Sequence, residues 1–125
     1  MKPNLQQPVL VVDDEYMMIT VMTRILEKIG FATVDYAADG QTALDKMQET
    51  RYGLVICDWS MEPMSGYEVL RRVRNDPATR DVPFIIATTQ TVHQNAVAAK
   101  IAGVNGFLLK PFTAGSLKRA IESAA

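Results

Sequence analysis

Five short apolar runs, set twenty-odd residues apart, constrain this chain more than any other feature. They are Val9-Leu10-Val11-Val12, Phe31-Ala32-Thr33-Val34, Leu54-Val55-Ile56-Cys57, Phe84-Ile85-Ile86-Ala87 and Phe107-Leu108-Leu109. Each is too short for a helix, and four are rich in β-branched residues, which suits strands covered on both faces. Between them the apolar spacing turns helical. Met18, Val21, Met22, Ile25, Leu26 and Ile29 follow the i, i+3, i+4, i+7 rule, with Gly30 where a C-terminal cap belongs. Asp39-Gly40-Gln41-Thr42 opens a second helix that carries Ala43, Leu44 and Met47 toward the core. A third runs through Tyr67, Leu70, Arg71 and Val73 to Arg74 and stops before Pro77. A fourth is expected from about Val92 to Ala102, ending at Gly103, and a fifth follows a Thr113 cap with Leu117, Ala120 and Ile121 as its stripe.

Strands alternating with helices imply a parallel sheet with right-handed crossovers and helices on both faces. For five strands the doubly wound order is 2-1-3-4-5, and ligands bind outside the carboxyl ends of strands 1 and 3, where the winding reverses. The length of 125 residues suits one domain, expected over residues 8–125 after a flexible tail at 1–7.

Charge and composition remove several function classes. Thirteen basic residues against fourteen acidic ones leave a net charge of -1, which argues against a broad basic surface for nucleic acid. No apolar stretch approaches the ~20 residues needed to span a bilayer, and Met1 to Pro8 lacks the apolar region of a secretory signal. A single cysteine, Cys57, forms no intramolecular disulfide, so the chain reads as cytoplasmic. With only His93 to assist it, a cysteine-based zinc site is excluded as well.

The polar residues adjoining the strand ends carry the chemistry. Strand 1 ends in Asp13-Asp14-Glu15, strand 3 in Asp58, strand 4 in Thr88-Thr89 and strand 5 in Lys110-Pro111. Any one aspartate there reads most simply as a turn former or helix cap. Together they differ, because ionised carboxylates within ~4 Å repel by about 4 kcal/mol at an effective dielectric of 20. Such a cluster needs a cation, and all-oxygen ligands suit Mg²⁺, which commonly binds with phosphoryl oxygens. Thr88 and Lys110 then supply a hydroxyl and an ammonium for the remaining phosphoryl oxygens. Two classes move a phosphoryl group onto a carboxylate: a signalling acceptor, and a small Mg²⁺-dependent phosphohydrolase. The hydrolase wants an Asp-x-Asp pair after strand 1 and usually a cap domain, whereas here the aspartates are adjacent and the length leaves no room for a cap.

From about Val9 to Ile121 the chain resembles the receiver domains of two-component response regulators. The resemblance rests on Val-Val-Asp13-Asp14-Glu, Cys-Asp58-Trp59-x-Met61, Met64-x-Gly66, Pro83-Phe-Ile-Ile-Ala-Thr88, Ala-Gly103-Val-x-Gly-Phe107 and Lys110-Pro111-Phe112. Such motifs in this order are specific, and Asp58-Trp59 with the Ala-Gly103 to Phe112 segment looks most like stand-alone chemotaxis regulators of the CheY type. The resemblance implies an α/β, flavodoxin-like doubly wound (βα)5 fold with no output domain, a monomer, and a signalling protein with slow autodephosphorylation rather than a metabolic enzyme. It implies that Asp58 accepts a phosphoryl group from a histidine kinase. Asp14, Asp58 and the Ser60 backbone carbonyl would hold Mg²⁺ directly, Asp13 through a metal-bound water, and Mn²⁺ could substitute. Thr88 and Lys110 would bind the phosphoryl oxygens, with the amides of Ser60 and Thr89, and Lys110-Pro111 is expected to be cis. Thr88 and Phe107 would form a switch that reshapes the face of the fourth helix, fifth strand and fifth helix for a downstream protein, either the flagellar switch or a histidine phosphotransfer protein; the alternative is a degenerate receiver that acts only as a protein-binding module.

Some positions depart from the family pattern. Glu62 stands where the family has Pro, with Pro63 next; Thr89 replaces a small residue; Ser60 and Gln90 occupy positions that tune hydrolysis; Phe107 lacks a tyrosine hydroxyl. Of the remaining candidates, Cys57 and most of the seven methionines read as core, His93 as a solvated side chain and Lys118-Arg119 as a helix-terminal charge pair. Trp59, the sole Trp, is expected to report on Mg²⁺ and phosphoryl occupancy.

Overall fold

The computed structural model describes residues 4–89 and 93–124, apart from the side chains of 93–95. Gln90, the expected helix start at Val92 and the His93 side chain fall outside it. Five strands, β1 (Val9–Val12), β2 (Val34–Ala37), β3 (Leu54–Asp58), β4 (Phe84–Thr88) and β5 (Gly106–Leu109), alternate with five helices, α1 (Tyr16–Ile29), α2 (Gly40–Glu49), α3 (Gly66–Asn75), α4 (His93–Ala102) and α5 (Ala114–Ala124). All strand pairs are parallel and the order is β2-β1-β3-β4-β5, the doubly wound arrangement expected from the alternation.

The continuous apolar runs follow from this placement. Successive side chains of a strand point to opposite faces, so each interior strand feeds two cores. Leu10 and Val12 of β1, Val55 and Cys57 of β3, and Phe84 and Ile86 of β4 pack with α2, α3 and α4. Val9, Val11, Leu54, Ile56, Ile85 and Ala87 pack with Ile19, Met22 and Leu26 of α1 and Leu117 and Ile121 of α5. Each fully buried aliphatic side chain contributes about 1.5–3 kcal/mol.

Helix ends match their local chemistry. The Asp39 carboxylate accepts from the Thr42 amide at 2.7 Å and Ser65 Oγ accepts from the Glu68 amide at 3.2 Å. Thr113 and Ser116 cap α5 reciprocally, each hydroxyl accepting the other's amide at 3.0 and 2.9 Å. Gly30 ends α1 at φ 120°, a conformation that favours glycine.

Two expectations need correction. The second strand is not Phe31 to Val34 but Val34–Ala37. Phe31 instead finishes α1, its amide donating to the Leu26 carbonyl at 3.2 Å and its ring buried, and Ala32 and Thr33 form an exposed link. As the edge strand, β2 pairs only with β1 and leaves Tyr36 half-exposed, so it lacks the continuous apolar run that marks the interior strands. Val21, placed on the apolar stripe of α1, is 46% exposed; of the methionines read mostly as core, Met22, Met47, Met61 and Met64 are buried and Met17 is 80% exposed. Within the segment before β1, Leu5 makes contacts with the rest of the fold. Leu5 packs against the α1–α5 core and its carbonyl accepts from the Ala32 amide at 3.0 Å.

Candidate functional site

The carboxyl ends of β1, β3, β4 and β5 bring Asp13, Asp14, Asp58, Thr88 and Lys110 to one edge of the sheet. Asp13 follows β1 with its amide bonded to the Ala37 carbonyl at 3.1 Å, and its Oδ1 accepts from the Glu15 amide at 2.9 Å. Asp58 is the last residue of β3 and pairs in register with Ala87 of β4. Lys110 leaves β5 with its amide bonded to the Thr88 carbonyl at 2.8 Å, and its peptide bond to Pro111 is cis, as is Glu62–Pro63.

Three of these side chains meet in the interior. Lys110 Nζ lies 3.0 Å from Asp13 Oδ2 and 3.0 Å from Asp58 Oδ1, and all three residues are buried. Asp14 is exposed at the rim, and carboxylate oxygens of Asp13, Asp14 and Asp58 lie within 4.8 Å of one another. Three carboxylates against one ammonium leave a formal excess of negative charge. Burial pushes the Asp58 carboxyl up; the Lys110 hydrogen bond and charge pull it back, Asp13 and Asp14 push it further up, and the net direction is upward. Burial works to depress the Lys110 ammonium, but its hydrogen bonds to Asp58 and Asp13 and their charges outweigh that, so it is held above its ordinary value. The donor chemistry, carboxylate oxygens converging on a partly open edge, fits a hard divalent cation of the Mg²⁺ type.

A family model for the response regulator receiver domain matches residues 9–122. The chain belongs to the response regulator receiver family. Among receivers, it is 33% identical over 119 residues to the chemotaxis protein CheY-3 of Vibrio cholerae, covering 95% of this chain and 92% of that one. It is 36% identical over 114 residues to the chemotaxis protein CheY of Pseudomonas aeruginosa, covering 91% and 92%. The solved chemotaxis protein CheY4 of Vibrio cholerae superposes with a TM-score of 0.91 at 31% identity, over 96% of this chain and 99% of that one. The receiver domain of a Pseudomonas aeruginosa sensor histidine kinase, solved with a magnesium ion coordinated in its active-site cleft, superposes at 0.85 with 28% identity, over 95% and 97%.

The other expected site residues of this receiver lie in or just after β3, β4 and β5. Ser60 is exposed in the loop after β3, and Thr89 is exposed just past the end of β4. Thr88, at the end of β4, is half-buried and pairs in register with Leu109. Phe107 is partly buried against the α2–α4 core, in register with Ile86. Cys57 is fully buried, and burial, then the Asp58 and Asp13 charges, hold its thiol well above the ordinary range, so it stays protonated core.

Two further residues shape the site through contacts the sequence pattern did not reveal. Gly66 begins α3 against the Asp58 backbone, where a Cβ would sit 2.2 Å from the Asp58 carbonyl oxygen, and its amide donates to the Trp59 carbonyl at 2.9 Å. Tyr67 stacks on Trp59 with ring centroids 5.6 Å apart and an interplanar angle of 25°. The glycine was visible in the motif, but its steric reason exists only once α3 folds back on β3.

Proposed function

We propose that this receiver is a phosphorelay response regulator in which Asp58 takes a phosphoryl group from a phosphohistidine on a histidine kinase. The observation that carries the reading is the buried Lys110 ammonium bridging Asp13 and Asp58 at 3.0 Å, with Asp14 beside them. A carboxylate oxygen of Asp58 attacks phosphorus, the P–N bond to imidazole breaks, and the electron pair stays on the imidazole nitrogen. Asp58 gains an acyl phosphate. Lys110 neutralises charge on the phosphoryl oxygens, with the Thr88 hydroxyl and the Ser60 and Thr89 amides as further donors.

Asp14, Asp58 and the Ser60 carbonyl would hold Mg²⁺ or Mn²⁺, with Asp13 acting through a water. The cation supplies charge neutralisation at the phosphoryl group. Pre-organised charge then does most of the work, since Lys110 is already fixed by two carboxylates before the phosphoryl group arrives.

Contacts of the new phosphoryl group to Thr88 and Lys110 bias a pre-existing equilibrium, and Phe107 is the side chain that repositions. The face of α4, β5 and α5 then binds a downstream protein. Likeness to two chemotaxis CheY proteins supports a target at the flagellar switch.

Incubation with a labelled small phosphoramidate and Mg²⁺ tests the chemistry. Acid-stable, hydroxylamine-labile label on the wild type and none on Asp58→Asn is the expected result; label retained by Asp58→Asn rejects the assignment. Return of that label to a histidine phosphotransfer protein, without binding to a switch-protein peptide, would replace the motor target with a relay.

A further inference from the structure

The crevice leaves unused a groove between α3 and α4. It holds about 500 Å³ and is lined by Tyr67, Arg71, Arg74 and Asn75 of α3 and by Ile101 and Ala102 of α4. Tyr67, Arg71 and Arg74 stand at i, i+4 and i+7, so they share one face of α3. Facing them, Ile101 is 83% exposed. The groove therefore has one cationic wall and one apolar wall.

Neither guanidinium is neutralised. Among the described residues no carboxylate lies within 4.0 Å of Arg71 or Arg74; the ion pairs found there belong to Arg80 with Asp81 and to Lys110. Arg74 donates to the Gly103 carbonyl at 3.0 Å, the Arg80 carbonyl at 3.0 Å and Asn105 Oδ1 at 2.8 Å. Those acceptors are neutral, so they fix the guanidinium in place without cancelling its charge. Asp81, whose charge reaches Arg74 from beyond ion-pair distance, is exposed. Arg71 is exposed and makes no hydrogen bond or ion pair among the described residues. A fixed cation, an exposed cation and an uncovered isoleucine select a ligand with a carboxylate next to an aliphatic side chain.

We propose that the α3–α4 groove docks an acidic segment of a partner protein, with a carboxylate on Arg71 and an aliphatic side chain between Tyr67 and Ile101. Arg74 adds long-range attraction from its fixed position. Because Tyr67 stacks on Trp59, a ligand seated on Tyr67 changes the environment of the only Trp in the chain. The groove binds through its own side chains, so the proposal stands or falls independently of phosphoryl transfer to Asp58.

The test is a titration of the full ¹⁵N-labelled chain with the synthetic peptide acetyl-Glu-Leu-Glu-Glu-Leu-Glu-amide. Two controls replace every Glu by Lys or every Leu by Ser. The expected result is saturable movement of the Tyr67, Arg71 and Ile101 amide signals with a parallel change in Trp59 emission. Loss of one charge-assisted contact in Arg71→Glu weakens the peptide by about tenfold or more. Ile101→Ser weakens it by several-fold, and the Lys peptide does not bind. Both substitutions sit at exposed positions and leave the fold intact. No saturable binding at millimolar peptide, equal affinity in Arg71→Glu, equal binding of the Lys peptide, or signal changes centred on another face would each overturn the proposal.

Discussion

Gly66 and Asp58 are in backbone contact: a Cβ built on the glycine falls 2.2 Å from the aspartate's carbonyl oxygen, with the Asp58 carbonyl carbon and Trp59 Cα near 3 Å. These neighbours are backbone atoms and cannot rotate away. The start of α3 thereby sets the path of the chain just after Asp58. Gly66→Ala forces that path outward and is expected to lower stability by about 1–3 kcal/mol. Urea unfolding followed by Trp59 emission measures the loss, and label incorporation at Asp58 is expected to slow in the same variant. An unchanged midpoint would show that the loop yields freely.

Three carboxylates with one ammonium are brought together only by folding, so the cation proposed for this cluster would bind the folded state and not the unfolded chain. Mg²⁺ is therefore expected to raise the unfolding free energy by about 2.7 kcal/mol at a hundredfold excess over its dissociation constant, and the unfolding midpoint with it. Asp14→Asn removes a carboxylate from the rim without disturbing the buried Lys110 contacts. Its metal-free stability is expected to stay within about 0.5 kcal/mol of wild type, while most of the Mg²⁺-dependent gain disappears. Thermal scans with and without Mg²⁺ compare the two proteins directly.

Asp39 gives a pH-dependent term that lies away from the site. Hydrogen bonding from the Thr42 amide holds its carboxyl below the ordinary 3.8. For a depressed carboxyl, the folded state binds protons less readily than the unfolded one, so its contribution is complete above 3.8 and fades as pH falls through the lower folded value. Asp39→Ala is expected to cost about 1 kcal/mol at pH 7 through the lost cap. Asp39→Asn caps comparably, so it should match wild type at pH 7 and unfold with a shallower acid limb. Unfolding curves from pH 7 to pH 3 separate the two effects.

The interior of this fold was legible because burial on both faces writes itself into sequence as unbroken apolar runs, as at Val9–Val12 and Leu54–Cys57. The site was legible because its side chains lie at or next to the strand ends, where a short shift in assigned boundaries does not move them off the crevice. The edge failed for the converse reason. Half-exposed β2 carries Asp35 and Tyr36, and of the apolar run that overlaps its start Phe31 packs at the end of α1, Ala32 and Thr33 form an exposed link, and only Val34 enters the strand. Contacts such as Gly66 on Asp58, Tyr67 on Trp59 and Leu5 on the core join segments whose separation in sequence carries no periodic signal.

Lys110 is the one positive charge within 4.0 Å of Asp13 and Asp58 among the described residues, which makes its removal the most informative change in the crevice. Lys110→Ala leaves two buried carboxylates facing each other. Removing one partner of such a pair costs about 3–5 kcal/mol when fully buried, and the partly open edge here places the expected loss near the lower figure. The sign with pH follows from the direction of the Asp58 shift. Its carboxyl already titrates above 3.8 in the folded state, and loss of the ammonium raises it further. A raised carboxyl destabilises the folded state above its folded value and ceases to do so below 3.8. The deficit of Lys110→Ala relative to wild type is therefore expected to be largest near pH 7 and to shrink as pH falls toward 4. Mg²⁺ at pH 7 should restore part of it by supplying the missing positive charge. Urea unfolding at pH 7 and pH 4.5, with and without Mg²⁺, measures all three effects; a deficit independent of both pH and Mg²⁺ would mean that lost packing of the lysine stem, rather than its charge, sets the cost.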